Sequence, residues 1–433
     1  MKIALLGYGI EAESAYNYYK QLYPAAEFVA YDDKSAPKNK LPKGVTFSGD
    51  HHDFHNIAAD IVVRTPAIAP SRVSSTGKIT SVTKEFFAKC PAPIIGVTGT
   101  KGKGTTCSLI TEILKAAGKK VWLVGNIGAP ALDVLSSVKP DDIVVYELSS
   151  FQLWDLNKSP HVAVVLMVEP EHLEVHPSFE DYIQAKANIV SHQTPEDVVV
   201  YHPTNQYSQQ IAVQSPALTK KKYFHPEGTH IANKTVVIDE HNICSINDIN
   251  LLGQHNLENV CAAVTAAWEF TQDVAAIKHA VTNFEGLPHR LQFVSEVKGV
   301  CFYDDSISTT PGSAIAALNS FEQPKVIILG GSSKKASFDE LARKIANSSI
   351  RKVILVGTEA DTIRAELDKV SFGNYELFRK MNMVKLVERA AELTQPDDVV
   401  LLSPACAGFD SFSSYADRGN QFTQAVKLLE EAV

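Results

Sequence analysis

The stretch from Ile94 to Thr106 constrains the fold more than any other part of the sequence. It begins with apolar and β-branched residues, continues as a glycine-rich turn that contains Lys103, and leads into a helical pattern over 103–117. The backbone N–H groups of such a turn point into a concavity at the positive end of the helix, where they bind phosphate. An ordinary glycine-rich turn is the alternative, but the order of strand, turn, lysine, hydroxyl and helix favours a phosphate site. The predicted phosphate loop consists of Gly99, Thr100, Lys101, Gly102, Lys103, Gly104, Thr105 and Thr106.

The composition indicates a globular protein of more than one domain. The chain has 433 residues, more than one ordinary core accommodates, and 45% of them are hydrophobic. Its net charge of -8 argues against a general nucleic-acid or anionic-membrane surface. No apolar run approaches the roughly twenty residues of a membrane helix, and the six cysteines form no CxxC pair. We therefore expect a cytoplasmic protein that neither binds nucleic acid nor inserts into a membrane.

Short apolar strands alternate with helical patterns along the whole chain, which predicts an α/β fold with mostly parallel sheets. Near the start, a turn at Gly7 follows one strand and Asp32 follows the next. This is half of a Rossmann fingerprint, with an acid placed for a ribose or a base. We predict three domains: an N-terminal Rossmann-like domain over 1–91, a central domain over 92–296 that begins at the phosphate loop, and a C-terminal Rossmann-like domain over 297–433.

Glu147 lies at the end of an apolar strand in the central part of the chain. A carboxylate in that place, beside a phosphate loop, suits Mg²⁺, because this ion takes hard oxygen ligands and shares them with phosphates. Capping of the following turn is the alternative. Lys186 lies on an amphipathic helix predicted over 178–193, and the local pattern gives it no special role, since a lone helical lysine is usually solvated.

The segment 169–176 is dense in acids and imidazoles. Such a cluster suits metal or phosphate binding, and a solvated acidic loop is the alternative. His172 and His176 have the spacing of a zinc pair on a helix. Pro170 and Pro177 argue against a continuous helix there.

Further polar groups follow later strands and turns. Asn256 and Asn259 are three residues apart and would share a helix face suited to a base or a ribose, although helix capping by Asn256 is an equally good interpretation. Arg290 lies in a proline-containing turn and suits a phosphate. The segment 304–310 carries two acids and four hydroxyls after a strand. The segment 402–410 also follows a strand, and its small residues suit a backbone-lined anion pocket.

Taken in order, these motifs resemble those of the Mur ligases of peptidoglycan synthesis over nearly the whole chain. The matching motifs are GTKGKGT, GNIGAPAL, ELSSFQL, EHLEVH, YIQAK, GQHNLEN, GLPHRLQ, LGGSSKK and LSPACAGFDSFSSYADRGNQF. Each is common alone, but the ordered series is specific. Its last block favours the branch of the family that adds glutamate.

The resemblance implies how the three domains divide the work. The first would bind the UDP end of the substrate, the central one would be P-loop ATPase-like, and the third would bind the incoming amino acid. ATP and Mg²⁺ are the implied cofactors. The implied reaction joins D-glutamate to UDP-N-acetylmuramoyl-L-alanine through an acyl phosphate. We expect a monomer.

The resemblance also assigns roles to single residues. The catalytic residues would be Lys103, Lys186 and His172. ATP would be bound by the phosphate loop together with Asn256, Asn259, Arg290 and Asp305. The metal ligands would be Thr105, Glu147, His172 and Lys186, the last as the lysine that the family carbamylates. Substrate contacts are expected at Asp32, Asn126, Ser150, Thr309, Lys334 (or its neighbour Lys335), Ser403 and Phe409.

Three of the departures from the family pattern bear on the site. Gly104 replaces the hydroxyl residue that usually follows the loop lysine, so the hydroxyl contact with magnesium would fall to Thr105. Ile307 replaces a lysine near the nucleotide and substrate, and Glu171 replaces an aspartate. The change at Ile307 leaves ligation of L-glutamate open as an alternative. A folylpolyglutamate-synthetase-like ligase would share the ATP domain, but the pattern before residue 90 and the RGNQF block count against it. A non-catalytic nucleotide-binding regulator could lose Lys186, Glu147 and His172, and all three are present.

Overall fold

The computed structural model describes residues 1–36, 40–332, 336–378, 382–408 and 412–432. These residues form two compact units. The first comprises Met1–Ile249 and Gln254–Phe284, and the second comprises Asn250–Gly253 and Glu285–Val433. The predicted domain ranges 1–91, 92–296 and 297–433 stay a prediction.

The first unit begins with a parallel sheet. Its elements are β1 (Lys2–Leu6), α1 (Ile10–Leu22), β2 (Glu27–Tyr31), β3 (Val45–Ser48), β4 (Phe54–Ile57), β5 (Ile61–Arg64), β6 (Val73–Ser75), β7 (Lys78–Ser81) and α2 (Val82–Lys89). Five of the strands pair in the order β3-β2-β1-β5-β7, and β4 pairs with β6. The turns that carry Gly7, Asp32 and Thr65 follow β1, β2 and β5, so all three lie at the carboxyl edge of this sheet, where ligands bind in open α/β folds.

The phosphate loop follows the central strand of the second sheet in this unit. The elements are β8 (Ile94–Thr98), α3 (Lys103–Ala116), β9 (Val121–Gly125), α4 (Ala131–Val134), β10 (Ile143–Glu147), α5 (Ser150–Leu153), β11 (Val162–Val165), α6 (Phe179–Ala187), β12 (Val198–Tyr201), α7 (Gln206–Ala212), β13 (Thr219–Lys222), β14 (His230–Ala232), β15 (Thr235–Ile238), β16 (His241–Ser245), α8 (Gln254–Ala267) and α9 (Val274–Asn283). The parallel order is β13-β12-β11-β8-β10-β9, and β14 to β16 form an antiparallel sheet. Every residue of β8 is buried, as expected for a strand covered on both faces.

One hydrophobic core joins these two parallel sheets. It contains Ile3 and Phe28 from the first sheet and Val144 and Tyr146 from the second. The Tyr146 ring contacts Phe86 of α2 edge-on at 5.6 Å. The two carboxyl edges are therefore held together within a single packed unit.

The second unit contains a third sheet. Its elements are β17 (Gln292–Val297), β18 (Val300–Asp304), α10 (Pro311–Leu318), β19 (Lys325–Gly330), α11 (Asp339–Ala346), β20 (Ile350–Val356), α12 (Ala360–Lys369), β21 (Tyr375–Phe378), α13 (Met383–Glu392), β22 (Val399–Leu402) and α14 (Tyr415–Glu431). The order is β17-β18-β22-β19-β20-β21, parallel except for the edge pair of β17 and β18. Thr310 and Pro311 begin α10 with a side-chain cap and a proline in the first turn, where neither costs a helical hydrogen bond.

The predicted α/β class with mostly parallel sheets is confirmed. The helix expected over 178–193 is shorter, since α6 ends at Ala187. Beyond it, the Asn188 amide donates to the carbonyl oxygens of Leu153 and Trp154, and these bonds hold the chain in turns rather than in a further helical turn. Within the described ranges, no helix combines the length and apolar character that a membrane span requires.

Candidate active site

The phosphate loop has a backbone shape that only glycine accommodates at two positions. Gly99 and Gly102 have φ angles of 150° and 86°. A Cβ atom would lie 2.7 Å from the Leu166 side chain at the first position and 2.3 Å from Asn259 Oδ1 at the second. Lys103 folds back over the loop, and its Nζ donates to the carbonyl oxygens of Gly99 at 3.1 Å and Thr100 at 2.9 Å. Phosphate oxygens can take the place of these two weak acceptors.

Lys186 is buried beside this loop, with 1% of its surface exposed. Its Nζ donates to Gly99 O at 2.9 Å and to Thr98 Oγ1 at 3.3 Å, and lies 4.6 Å from the centre of the Tyr182 ring. The two lysines therefore share the Gly99 carbonyl. Burial, and after it the positive charge of Lys103, lowers the pKa of Lys186 well below its usual value. The usual solvated role of a lone helical lysine does not apply to Lys186.

Glu147 lies at the end of β10 and pairs in register with Val97 of β8, so it stands beside the start of the loop. It is buried, and its negative charge acts on Lys186. Thr105, in the first turn of α3, is buried too. In the described residues no group of three or more His, Cys, Asp or Glu side chains is arranged to hold a metal ion. One carboxylate and one hydroxyl next to a phosphate loop nevertheless fit Mg²⁺, which is usually held by one or two carboxylates, waters and substrate phosphates.

His172 and His176 lie in different surroundings. The side chain of His172 is 41% exposed and faces Glu171 at 3.7 Å and Glu174 at 3.4 Å. His176 is buried. Turns rather than a helix connect the two, as the prolines indicated, so the zinc-pair interpretation fails. His172 does line the same cleft as Lys103 and Lys186.

Asn256 and Asn259 share a face of α8, as predicted. Asn259 Nδ2 donates to Asn256 Oδ1 at 3.1 Å, and Thr106 Oγ1 lies 3.5 Å from Asn259 Oδ1. Because α8 begins at Gln254, Asn256 lies inside the helix rather than at its cap. The pair is thereby held against Gly102 at the edge of the phosphate loop.

One cleft of about 770 Å³ runs from the carboxyl edge of the first sheet to the phosphate loop. Its size is that of a small-molecule site. Six of the predicted site residues line it, namely Asp32, Lys103, Asn126, Ser150, His172 and Lys186. Spacing along the chain had given no reason to place Asp32 and Lys186 in one cavity.

Asp32 stabilises the first turn of the cleft. Its carboxylate accepts the backbone N–H groups of Tyr8 at 2.9 Å and Lys34 at 3.2 Å. Burial acts to raise the pKa of Asp32, but these two hydrogen bonds, together with Asp33 and the charge of Lys34, hold the pKa below its usual value.

The remaining predicted residues belong to the second unit. Asp305 and Ser403 are buried and joined by a 2.7 Å hydrogen bond, and burial raises the pKa of Asp305 to about 6. Arg290 is exposed, and Thr309 is half-buried at the end of the loop before α10. The predictions at Lys334 and Phe409 lie outside the described residues.

Sequence reasoning missed several side chains that support the cleft. Gln152 Nε2 donates to Glu11 Oε1 at 3.0 Å and links α5 to α1. Asp181 accepts from His176, which in turn contacts Ser150. The helical pattern around Lys186 contained Asp181, but nothing local tied it to a histidine in the preceding loop.

Comparison with known proteins defines the class to which this fold and site belong. Residues 97–267 match the Mur ligase middle domain, and residues 289–406 match the Mur ligase glutamate ligase domain. Among solved structures, the chain resembles a UDP-N-acetylmuramate-alanine ligase from Thermotoga maritima with a TM-score of 0.62 and 16% identity, over 99% of this chain and 100% of the other. It also resembles a MurF ligase from Thermotoga maritima in complex with ADP, with a TM-score of 0.60 and 16% identity, over 100% and 95% of the two chains.

The curated relatives are more similar in sequence. The chain is 36% identical to a UDP-N-acetylmuramoylalanine--D-glutamate ligase of Clostridium kluyveri over 98% of this chain and 96% of the relative. It is 35% identical to the protein of the same name from Clostridium tetani, over 99% and 97%. The chain belongs to the Mur ligase family.

Proposed function

We propose that this protein is an ATP-dependent ligase that joins D-glutamate to UDP-N-acetylmuramoyl-L-alanine in the synthesis of peptidoglycan precursors. The observation that carries the proposal is the single cleft that joins the turn of Asp32 to Lys103 and Lys186. A nucleotide-linked substrate with its UDP end at the first sheet would present its free carboxylate to the phosphate loop. The names of the curated relatives support the choice of D-glutamate.

The roles of the domains follow from this placement. Residues 1–91 would hold the UDP end, 92–296 the ATP, and 297–433 the glutamate, with Thr309, Lys334, Ser403 and Phe409 as its candidate contacts. Asn256, Asn259, Arg290 and Asp305 are the further candidate contacts of ATP. We assign the reaction to the cytoplasm, where ATP is available, and to a monomer.

The reaction requires activation of a carboxylate, which is a poor electrophile. The alanyl carboxylate attacks the γ-phosphorus of ATP, and the products are an acyl phosphate and ADP. The amine of glutamate then attacks the acyl carbon, loses a proton, and expels inorganic phosphate as the amide forms. Lys103, which donates to two loop carbonyls, would move its Nζ to the γ-phosphate oxygens and stabilise the charge that develops there.

Thr105, Glu147 and His172 are the residues that would hold Mg²⁺, together with a carbamylated Lys186. Bound there, the ion would neutralise phosphate oxygens and orient them. The low pKa of Lys186 supports the modification, because only a neutral amine adds to carbon dioxide. That addition forms an N–C bond and releases one proton, and it converts a buried neutral amine into a carboxylate-like ligand.

The test is the release of phosphate from ATP in the presence of UDP-N-acetylmuramoyl-L-alanine and each glutamate enantiomer separately. We expect turnover with D-glutamate. Turnover with L-glutamate alone would contradict the stereochemical assignment and point to the loop that contains Ile307. A protein that is folded but turns over neither enantiomer would overturn the ligase assignment.

A further inference from the structure

A chain of hydrogen bonds begins at Ser150 in the cleft and ends at a carboxylate outside its lining. Ser150 Oγ lies 2.9 Å from His176 Nε2, and His176 Nδ1 lies 2.6 Å from Asp181 Oδ2. Ser150 lines the cleft, whereas His176 and Asp181 do not. Ser150 starts α5 directly after β10, and Asp181 lies in the first turn of α6. Two helices and the segment that precedes α6 therefore converge on one serine hydroxyl.

Aromatic rings fix the imidazole of His176 in this chain. Phe151 stacks on it with ring centres 5.2 Å apart and planes 10° apart. Trp154 lies 4.3 Å away, and Tyr182 meets it edge-on at 5.3 Å. Such packing leaves the imidazole one orientation and excludes water from its nitrogen atoms.

The hydrogen-bond chemistry fixes the direction of each bond. An aspartate carboxylate only accepts, so His176 Nδ1 carries the ring proton and donates it to Asp181. In a neutral ring Nε2 is then the acceptor, and the Ser150 hydroxyl donates to it. With its hydrogen engaged, Ser150 Oγ has only lone pairs to offer to the cleft.

We propose that His176 and Asp181 are positioning residues that hold the Ser150 hydroxyl as an acceptor for the alanyl amide N–H of the substrate. This inference rests on the proposed function. The alanyl amide is the N–H adjacent to the carboxylate that must reach Lys103, and Ser150 and Lys103 line the same cleft. An acceptor there orients the carboxylate and disfavours substrates that lack the N–H, because a buried acceptor would be left unpaired.

Replacement of Asp181 by asparagine inverts the direction of the chain without changing its shape. Trp154 Nε1 donates to Asp181 Oδ1 at 3.4 Å, so the introduced amide would keep its oxygen toward Trp154 and turn its NH₂ group toward His176. His176 would then accept at Nδ1 and carry its proton at Nε2. His176 Nε2–H would then donate to Ser150 Oγ. The Ser150 hydroxyl would point its own hydrogen into the cleft, where it would face the N–H of the substrate, so that two donors would meet.

The experiment compares Asp181→Asn, Ser150→Ala and the double variant in the full-length protein. Each single variant should raise KM and the calorimetric Kd for UDP-N-acetylmuramoyl-L-alanine roughly tenfold, the value of one hydrogen bond to a buried group. KM for ATP should not change. In the Ser150→Ala background, Asp181→Asn should have no further effect. Asp142→Asn is the matched control, because Asp142 also accepts from an indole, that of Trp122 at 2.7 Å, and lies outside the cleft lining.

A substrate analogue with an ester oxygen in place of the alanyl N–H provides the second arm. Wild-type protein should bind it roughly tenfold more weakly than the amide, and Ser150→Ala should bind both about equally. Full additivity of the two substitutions, or equal discrimination by Ser150→Ala, would overturn the inference. If wild-type protein binds the substrate but does not ligate it, the proposed function fails while the binding data still decide the inference; absence of binding refutes both.

Discussion

The cleft of the first unit and the polar cluster of the second unit use their charged groups differently. In the cleft, Lys103 donates to backbone carbonyl oxygens that a phosphate can replace, and Asp32, Asn126 and Ser150 line an open cavity. In the second unit, by contrast, Asp305, Ser403 and Arg418 are buried.

The contacts of Arg418 show what the second arrangement does. Its guanidinium donates to Ser306 Oγ at 2.8 Å, to Ser306 O at 2.8 Å and to Cys406 O at 3.2 Å. It thereby ties the loop after β18 to the loop after β22. Arg418, the first residue of the RGNQF block, therefore supports this buried polar cluster, which we call the frame. Removal of a cleft residue should reduce activity, whereas removal of a frame residue should reduce stability.

The largest effect is expected at Lys186. Lys186→Ala removes the candidate carbamate ligand, and we expect kcat to fall on the order of 1,000-fold, as for loss of a major electrostatic group in an active site. A short carboxylic acid should restore part of the activity by supplying the missing carboxylate. Steady-state phosphate release with and without the added acid measures both effects.

The control for this substitution is Lys115→Ala on the exposed face of α3, where the lysine pairs with Glu112. It should leave kcat unchanged with and without the acid. Full activity of Lys186→Ala would refute the assigned role. The buried lysine would then have a structural role, as the frame residues do.

Arg418→Met should act on stability. The change leaves two buried carbonyl groups without their donor, which costs about 3 to 5 kcal/mol of unfolding free energy for the second unit. Denaturant unfolding measures this loss. Arg343→Met, which breaks an exposed ion pair with Asp339 in the same unit, should cost less than about 1 kcal/mol. A stable Arg418→Met protein with impaired glutamate binding would show that the arginine contacts substrate.

The division between cleft and frame explains how far the sequence could predict the site. The phosphate loop is local, since strand, glycines, lysine and helix are consecutive and leave a pattern. The positions of Lys186 and His176, by contrast, depend on contacts with residues far away in the sequence. Burial of Lys186 under Tyr182 and its contact with Gly99 depend on the packing of α6 against the loop after β8. Only the family resemblance indicated that lysine in advance.

The same reasoning applies to the fold. β8 and β19 are buried along their whole length, as expected for apolar runs that form strands covered on both faces. The alternation of such runs with helical patterns predicted parallel sheets. The end of α6 was wrong because a tertiary contact, the Asn188 amide on the carbonyls of Leu153 and Trp154, stops a pattern that is locally helical. Periodicity does not encode such a contact.

Asp305 should make the stability of the second unit depend on pH. Its pKa is raised from 3.8 to about 6 in the folded protein by burial, so the stability that it contributes is full below about pH 4 and is lost as the pH rises through 6. The loss amounts to about 3 kcal/mol. Asp305→Asn should remove this part of the pH dependence.

Unfolding free energies of wild-type protein and Asp305→Asn, measured from pH 4 to pH 7, give the difference curve. The unfolding free energy of the wild-type protein minus that of the variant should fall by about 3 kcal/mol as the pH rises. A flat difference curve would mean that Asp305 ionises as an ordinary exposed carboxyl group. It would then be accessible to a ligand, as the cleft residues are.

The smallest effect is expected at Thr105, to which we assign the hydroxyl contact with magnesium because Gly104 follows the loop lysine. Thr105→Val keeps the shape and removes the hydroxyl, and we expect kcat/KM for ATP to fall about 10- to 30-fold, with a higher Mg²⁺ requirement. Thr111→Val, on the same helix, removes a hydroxyl that donates to Cys107 O and should leave kcat/KM unchanged.

A third variant, Gly104→Ser, separates two accounts of this loop. If Thr105 has taken over the hydroxyl contact, Gly104→Ser alone should not raise kcat/KM for ATP. In the Thr105→Val background it should recover part of the loss, because a hydroxyl returns to the first turn of α3. If Thr105→Val is unaffected and Gly104→Ser adds nothing, Lys103 and the loop backbone bind the phosphates without a hydroxyl. Thr105 would then serve only the packing of α3.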